Sequence, residues 1–110
     1  VTAGWPPLRG EVWDVDIPAA GEHPAVVLSA NPINTHLGHI TVAVVTGTPG
    51  PPVTHVPLGA DAGLTRYDVS YANATDLHAV NKERFLGRRG LCSKDELAHV
   101  ESLVRVYLEL

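Results

Sequence analysis

Arg9-Gly10-Glu11-Val12-Trp13-Asp14-Val15-Asp16-Ile17 is the stretch from which the fold is read. Between Glu11 and Ile17, apolar Val12, Trp13, Val15 and Ile17 interleave with acids, the pattern of a half-buried strand. Pro18 to Gly21 reads as a turn. Two valine-rich runs follow, Ala25 to Ser29 and Ile40 to Thr46, each suited to a fully buried strand. Asn31 to Gly38, between them, carries turn formers without periodicity. Gly47-Thr48-Pro49-Gly50-Pro51-Pro52 is expected as an exposed loop, because its prolines have no amide to donate and its glycines loosen the backbone. Val53 to Leu58 reads as a strand, Gly59 to Gly63 as a turn and Val69 to Ala74 as a strand. Leu77 to Val80 is another strand or a short bridge, and Leu86 to Leu91 a basic strand or loop.

The end of the chain is a helix. Ser93-Lys94-Asp95-Glu96 fits a capping box, with Ser93 accepting from a first-turn amide and Glu96 reaching back. Leu97, Val100, Val104, Tyr107 and Leu108 recur three or four apart, one apolar stripe to lay on a core. Arg105 suits the negative end of the helix dipole. Many short strands and one terminal helix predict a mainly β (α+β) chain, a small barrel closed by that helix.

With 110 residues the natural organisation is a single domain, 1–110. Within it, 1–7 is expected as a loose tail bearing proline and glycine, and 8–110 as the barrel. Hydrophobic residues at 45% and charged residues at 18% exclude a disordered chain. No apolar run approaches the roughly 18 to 20 residues of a membrane span, so no membrane association is expected. Val1 to Leu8 shows no basic start followed by an apolar stretch, and a cytoplasmic location is expected. A lone Cys92 excludes an internal disulfide and a cysteine-based zinc site.

The net charge of −4 argues at face value against a nucleic-acid partner. Its distribution is more informative. Before Arg66 the only basic residue is Arg9, against Glu11, Asp14, Asp16, Glu22 and Asp61. Lys82, Arg84, Arg88, Arg89 and Lys94 then fall together with only Glu83 among them, a cluster open to phosphates, to an acidic protein segment, or simply to solvent. His36-Leu37-Gly38-His39, with His23 and His55, matches no metal-ligand spacing, so neither metal nor cofactor is expected. The proline loop fails as a phosphate cradle, lacking both a following lysine and the amides its prolines remove.

The block from Arg9 through His23-Pro24-Ala25-Val26-Val27-Leu28-Ser29, then Asn34 and the apolar run ending in Thr46, resembles the opening of the MazF/PemK-like toxin family. Further matches are Thr54-His55-Val56, Asp68-Val69-Ser70 with Asn73 and Thr75, Val80-Asn81-Lys82-Glu83-Arg84-Phe85, and the capped helix. The resemblance spans about Arg9 to Leu110 and rests on order and spacing rather than on one motif. It implies a small SH3-like (CcdB/PemK-like) barrel with a C-terminal helix, working as a homodimer. It also implies a metal-independent, sequence-specific endoribonuclease that cuts single-stranded mRNA to 2′,3′-cyclic phosphate and 5′-hydroxyl ends. The implied partner is a cognate antitoxin whose acidic, initially disordered tail fills the RNA groove.

The family's catalytic positions are an arginine before the proline and the strand-end threonine. Thr46 fits the second, and its hydroxyl is suited to donate to a phosphate oxygen. The first holds His23. An imidazole titrates near ~6.5 and both takes and returns protons, but lacks the permanent charge and fork of a guanidinium. His23 and Thr46 are therefore the expected catalytic pair, with Asn34, Thr48 and Asn73 as RNA contacts. On residue type alone, His23 reads equally as a turn histidine, Thr46 as a strand end, and Asn34 and Asn73 as turn and cap residues. Two alternatives belong to other classes: a non-catalytic CcdB-like toxin that binds a protein, and an inactive RNA-binding homologue. The missing arginine favours these, and Thr46 with the Pro24 block favours the nuclease.

Overall fold

The structure, a computed structural model, describes residues 5–110. Six antiparallel strands form one sheet: β1 (Glu11–Ile17), β2 (Gly21–Val27), β3 (His39–Thr46), β4 (His55–Leu58), β5 (Ser70–Asn81) and β6 (Phe85–Leu91), in the order β4-β5-β3-β2-β1-β6. Two helices accompany them, α1 (Asn31–His36) and α2 (Lys94–Leu108). The mainly β class with a terminal helix is as expected. The closed barrel is not, because the edge strands β4 and β6 do not pair with each other.

The 3₁₀ turn Ala60–Ala62 bridges that gap by backbone contact. Gly63, at φ 74°, lies so close to β6 that a Cβ there would overlap the Arg89 carbonyl oxygen. A Cβ on Gly90 would overlap the Asp61 carbonyl in turn. Glycine is required at both positions, by close approach and at Gly63 also by its positive φ.

Strand alternation divides the core between the two faces of the curled sheet. One face gathers Trp13, Val15, Ile17, Ala25, Val27, Ile40, Val42, Val80 and Phe85. The other gathers Val12, Val26, Val45, Val56, Ala72 and Cys92 beneath Val100 of α2. β1 is therefore covered on both faces over its first residues rather than half-buried. Its Glu11 is buried with its oxygens satisfied: Oε1 accepts from the Leu8 amide (2.7 Å) and Trp13 Nε1 (3.1 Å), and Oε2 from Arg88 Nε (2.7 Å).

Three further expectations change. Asn31 to Gly38 contains a short helix, α1, with Pro32 in its first turn, a place where the missing amide costs nothing. The two strands expected over 69–80 are one twelve-residue strand, β5, whose pairing with β3 shifts register between Ala43 and Val45. Of the loose tail expected over 1–7, residues 1–4 lie outside the described residues. Trp5 packs edge-on against Trp13, with ring centroids 6.1 Å apart, and Pro7 is buried.

α2 keeps its predicted start. The Glu96 amide donates to Ser93 Oγ (3.1 Å), and the Ser93 amide donates to Glu96 Oε1 (2.8 Å). Leu97, Val100 and Val104 pack on the core, whereas Tyr107 and Leu108 are about half exposed. β4 is an edge strand, and exposed Pro57 stands within it. No helix among the described residues is long and apolar enough to cross a membrane.

Candidate active site

Pairing of β2 with β3 sets Ala25 opposite Val44, Val26 opposite Ala43 and Val27 opposite Val42. Continued two residues past Ala25 and Val44, the same register aligns His23 with Thr46. Hydrogen bonding stops before those residues, and the strand ends part around a cleft of about 490 Å³. His23, Thr46 and Thr48 all line it, together with Asp14, Glu22, Arg66, Tyr67 and Arg89. Three residues expected at the site thus meet in one place, through strand register rather than proximity in sequence.

His23 lies within β2 and not, as expected, in the turn before it. Its Nε2 is 3.1 Å from the Ala20 carbonyl oxygen, which can only accept, so Nε2 carries the hydrogen. In the neutral ring this leaves Nδ1 as the basic atom. Thr46 closes β3, and its Oγ accepts from the Thr48 amide at 3.1 Å, leaving the hydroxyl hydrogen to donate elsewhere. Thr48 thus has a positioning contact with Thr46 as well as a place on the cleft wall.

The two asparagines are elsewhere. Asn34 is fully buried on α1: its Oδ1 accepts from Ser29 Oγ (2.5 Å), and its Nδ2 donates to the Ser29 carbonyl (2.9 Å). It pins α1 to the end of β2 and has no surface to offer RNA, which corrects its expected role. Asn73 does not line the cleft either. Its Oδ1 accepts from both the amide (3.0 Å) and the hydroxyl (2.8 Å) of Thr75, holding the irregular stretch of β5.

The cleft also contains residues that sequence reading did not single out. Arg89 Nη1 meets the Asp14 carboxylate at 3.2 and 3.3 Å, and its Nη2 donates to the Gly63 carbonyl at 3.1 Å. Arg66 lies over the Tyr67 ring, 5.5 Å from its centroid, and that ring rests on Gly47, where any Cβ would strike it. Arg89 was visible only as one of a basic run. What selects it is the β1–β6 register, which single-sequence patterning does not supply.

That register also resolves the charge asymmetry. Arg84 pairs with Asp16 (2.9 Å), Arg88 with Glu11 (2.7 Å) and Arg89 with Asp14 (3.2 Å). The basic C-terminal run is thus matched against the acids of β1. Of the alternatives open for that cluster, much of it is taken up in ion pairs to the acids of β1. Among the described residues no group of three or more histidine, cysteine or acidic side chains is arranged to hold a metal.

A family model described as PemK-like, MazF-like toxin of type II toxin-antitoxin system matches residues 8–108. The chain belongs to that family. It is 33% identical over 114 residues to endoribonuclease MazF9 of Mycobacterium tuberculosis, covering 93% of this chain and 96% of the relative. Among solved structures it is similar to a mycobacterial endoribonuclease in complex with its cognate antitoxin (TM-score 0.84, 25% identity, 94% of this chain and 96% of that one). It is also similar to a MazF from Deinococcus radiodurans (TM-score 0.80, 26% identity, 94% and 97%).

Proposed function

We propose that this chain is the toxin of a type II pair, an endoribonuclease that cuts single-stranded mRNA at a short defined sequence without a metal. The observation that carries the reading is the alignment of His23 with Thr46 across the cleft, in a chain one-third identical to an endoribonuclease. The 2′-oxygen attacks phosphorus and the bond to the 5′-oxygen breaks, giving a 2′,3′-cyclic phosphate and a 5′-hydroxyl. His23 Nδ1 takes the 2′-hydroxyl proton, and the imidazolium is then the local source of a proton for the departing oxygen. The Thr46 hydroxyl donates to a non-bridging oxygen as charge grows on the phosphorane. Thr48 places that hydroxyl.

The partner is a cognate antitoxin, and the working form is a homodimer in the cytoplasm. A small sheet with exposed apolar residues commonly gains stability by self-association. The acidic tail expected of the antitoxin would compete with RNA for the cleft cations.

Incubation of the purified protein with a long single-stranded RNA and EDTA, read by primer extension, tests the activity. Cuts at one short sequence, with duplex RNA spared, are expected. Loss of cutting on chelation, restored by a divalent ion, would remove the metal-free mechanism. Sedimentation at micromolar concentration tests the dimer. Because Arg88 and Arg89 of β6, and Arg84 just before it, are paired with acids, a non-catalytic toxin that binds a protein is the second reading. A parent protein that cuts no RNA, while the antitoxin still binds it, would favour that one.

A further inference from the structure

The proton chemistry above leaves one task, stabilising the added charge, without a residue. An imidazole carries no permanent charge, whereas the phosphorane is more negative than the phosphate it comes from. The permanent cations lining the cleft are Arg66 and Arg89. Arg66 is exposed, on a loop, against an exposed tyrosine. Arg89 is on a strand whose backbone is clasped by the turn at 60–63, at two glycines with no room for a Cβ. Its guanidinium therefore stands on the more rigid base.

Its ion pair is also the loosest of the three that set this basic cluster against β1: 3.2 Å to Asp14, against 2.9 Å for Arg84 with Asp16 and 2.7 Å for Arg88 with Glu11. Both Asp14 oxygens lean on a single nitrogen, not on two in the parallel fork that makes such pairs strong. The Gly63 carbonyl takes one hydrogen of Nη2. The Nε hydrogen and the second Nη2 hydrogen have no partner among the described residues. A guanidinium held in place with donors to spare is suited to receive a phosphate.

We propose that Arg89 is the phosphate clamp of the cleft, its free donors gripping a non-bridging oxygen of the scissile group, with Asp14 and Gly63 holding the guanidinium in position beforehand. The proposal rests on the nuclease reading for its place in catalysis. It divides the labour among three residues: His23 moves the proton, Thr46 donates one neutral hydrogen bond, and Arg89 supplies the charge.

The full-length chain is tested with Arg89→Gln, Arg89→Lys, Asp14→Asn, and Arg105→Gln as a control that removes one positive charge from α2. On single-stranded RNA of mixed sequence, Arg89→Gln should lower kcat by roughly 100- to 1000-fold with a much smaller change in KM. Arg89→Lys, which keeps the charge without the fork, should fall between parent and Gln variant. Arg105→Gln should stay within about twofold of the parent, taking twofold as roughly 0.4 kcal/mol. Asp14→Asn, which removes the same ion pair but leaves the guanidinium and its charge in the cleft, should stay within about tenfold of the parent, roughly 1.4 kcal/mol. A purely structural salt bridge would make Asp14→Asn and Arg89→Gln equally costly. Arg89→Gln cutting within twofold of the parent, or an Asp14→Asn variant that melts like the parent yet loses as much as Arg89→Gln, would overturn the proposal. Should Arg89→Gln fail to fold, the lysine variant and an NMR titration decide. Single-stranded DNA, which lacks the 2′-hydroxyl and is not cut, should shift the Arg89 Nε–H resonance, identified by its absence from the lysine variant. An unmoved resonance overturns the clamp. If the parent cuts no RNA yet the resonance shifts, the nuclease reading fails and the phosphate contact stands.

Discussion

A hydroxyl donates one hydrogen and accepts two, and at Thr46 one acceptor site is already taken by the Thr48 amide. What remains is a directed donor. Thr46→Ala should therefore cost about 3 to 4 kcal/mol of transition-state stabilisation, with Thr46→Ser much closer to the parent, read from kcat on RNA. Thr46 was legible in the sequence because a strand-end threonine after an apolar run is a local pattern. The same locality misleads at Asn34. An asparagine in a turn-rich stretch looks exposed, and nothing nearby in sequence announces that Ser29 will fold over it. Asn34→Ala should destabilise the fold by about 2 to 3 kcal/mol, since it leaves the Ser29 groups unpaired, while the protein that does fold cuts RNA normally. Denaturant melts with active-site titration separate the two effects. Cys92 gives a pH signature. Burial, and secondarily the Glu96 charge, push its thiol from 9.0 up to about 12. The folded state thus holds the proton more tightly than the unfolded chain. Stability due to Cys92 is fully present below pH 9 and is lost as pH rises from there toward 12. Cys92→Ala should flatten that alkaline loss in melts recorded across the interval.

Elements follow the same division between local and distant causes. α2 was readable to its first residue because a capping box is complete within four positions. Ser93→Ala should cost about 1 kcal/mol. Glu96→Ala should cost more, because one carboxylate serves two amides: Ser93 at 2.8 Å through Oε1, and Gly59 at 2.6 Å through Oε2, the latter tying the helix to the loop after β4. Thermal melts of both variants would check the order. The far end of the helix was less legible. Its stripe continues through Tyr107 and Leu108, but the sheet it lies on ends first, and periodicity says nothing of how far a neighbour extends. β5 escaped as a single strand because Asn73, Thr75 and Asp76 interrupt the apolar alternation just where its register against β3 shifts. α1 escaped because six residues are too short to display a helical period.

For the molecule as a whole, composition and order of elements announced a small β domain, and the resemblance announced its family. Neither announced that the sheet would stay open, since closure depends on whether the first and last strands in space can meet. Nor did they place Arg89, whose address is a pairing between residues about 75 positions apart in the chain. Charge counting left a basic cluster open to several partners, and the fold sets most of it against acids of β1; the more exposed pairs, Arg84 with Asp16 and Arg89 with Asp14, are each worth roughly 0 to 1 kcal/mol. An open sheet brings a hazard that a closed barrel avoids. A bare strand edge is a template on which further copies of the chain can add without limit. At the β4 edge, Pro57 interrupts the row of donors, so an incoming strand finds one rung missing in a ladder only four residues long. Pro57→Thr should leave the melting temperature nearly unchanged yet shorten the lag before thioflavin-positive fibres form in a stirred, concentrated solution. The exposed proline would then act as a guard against polymerisation.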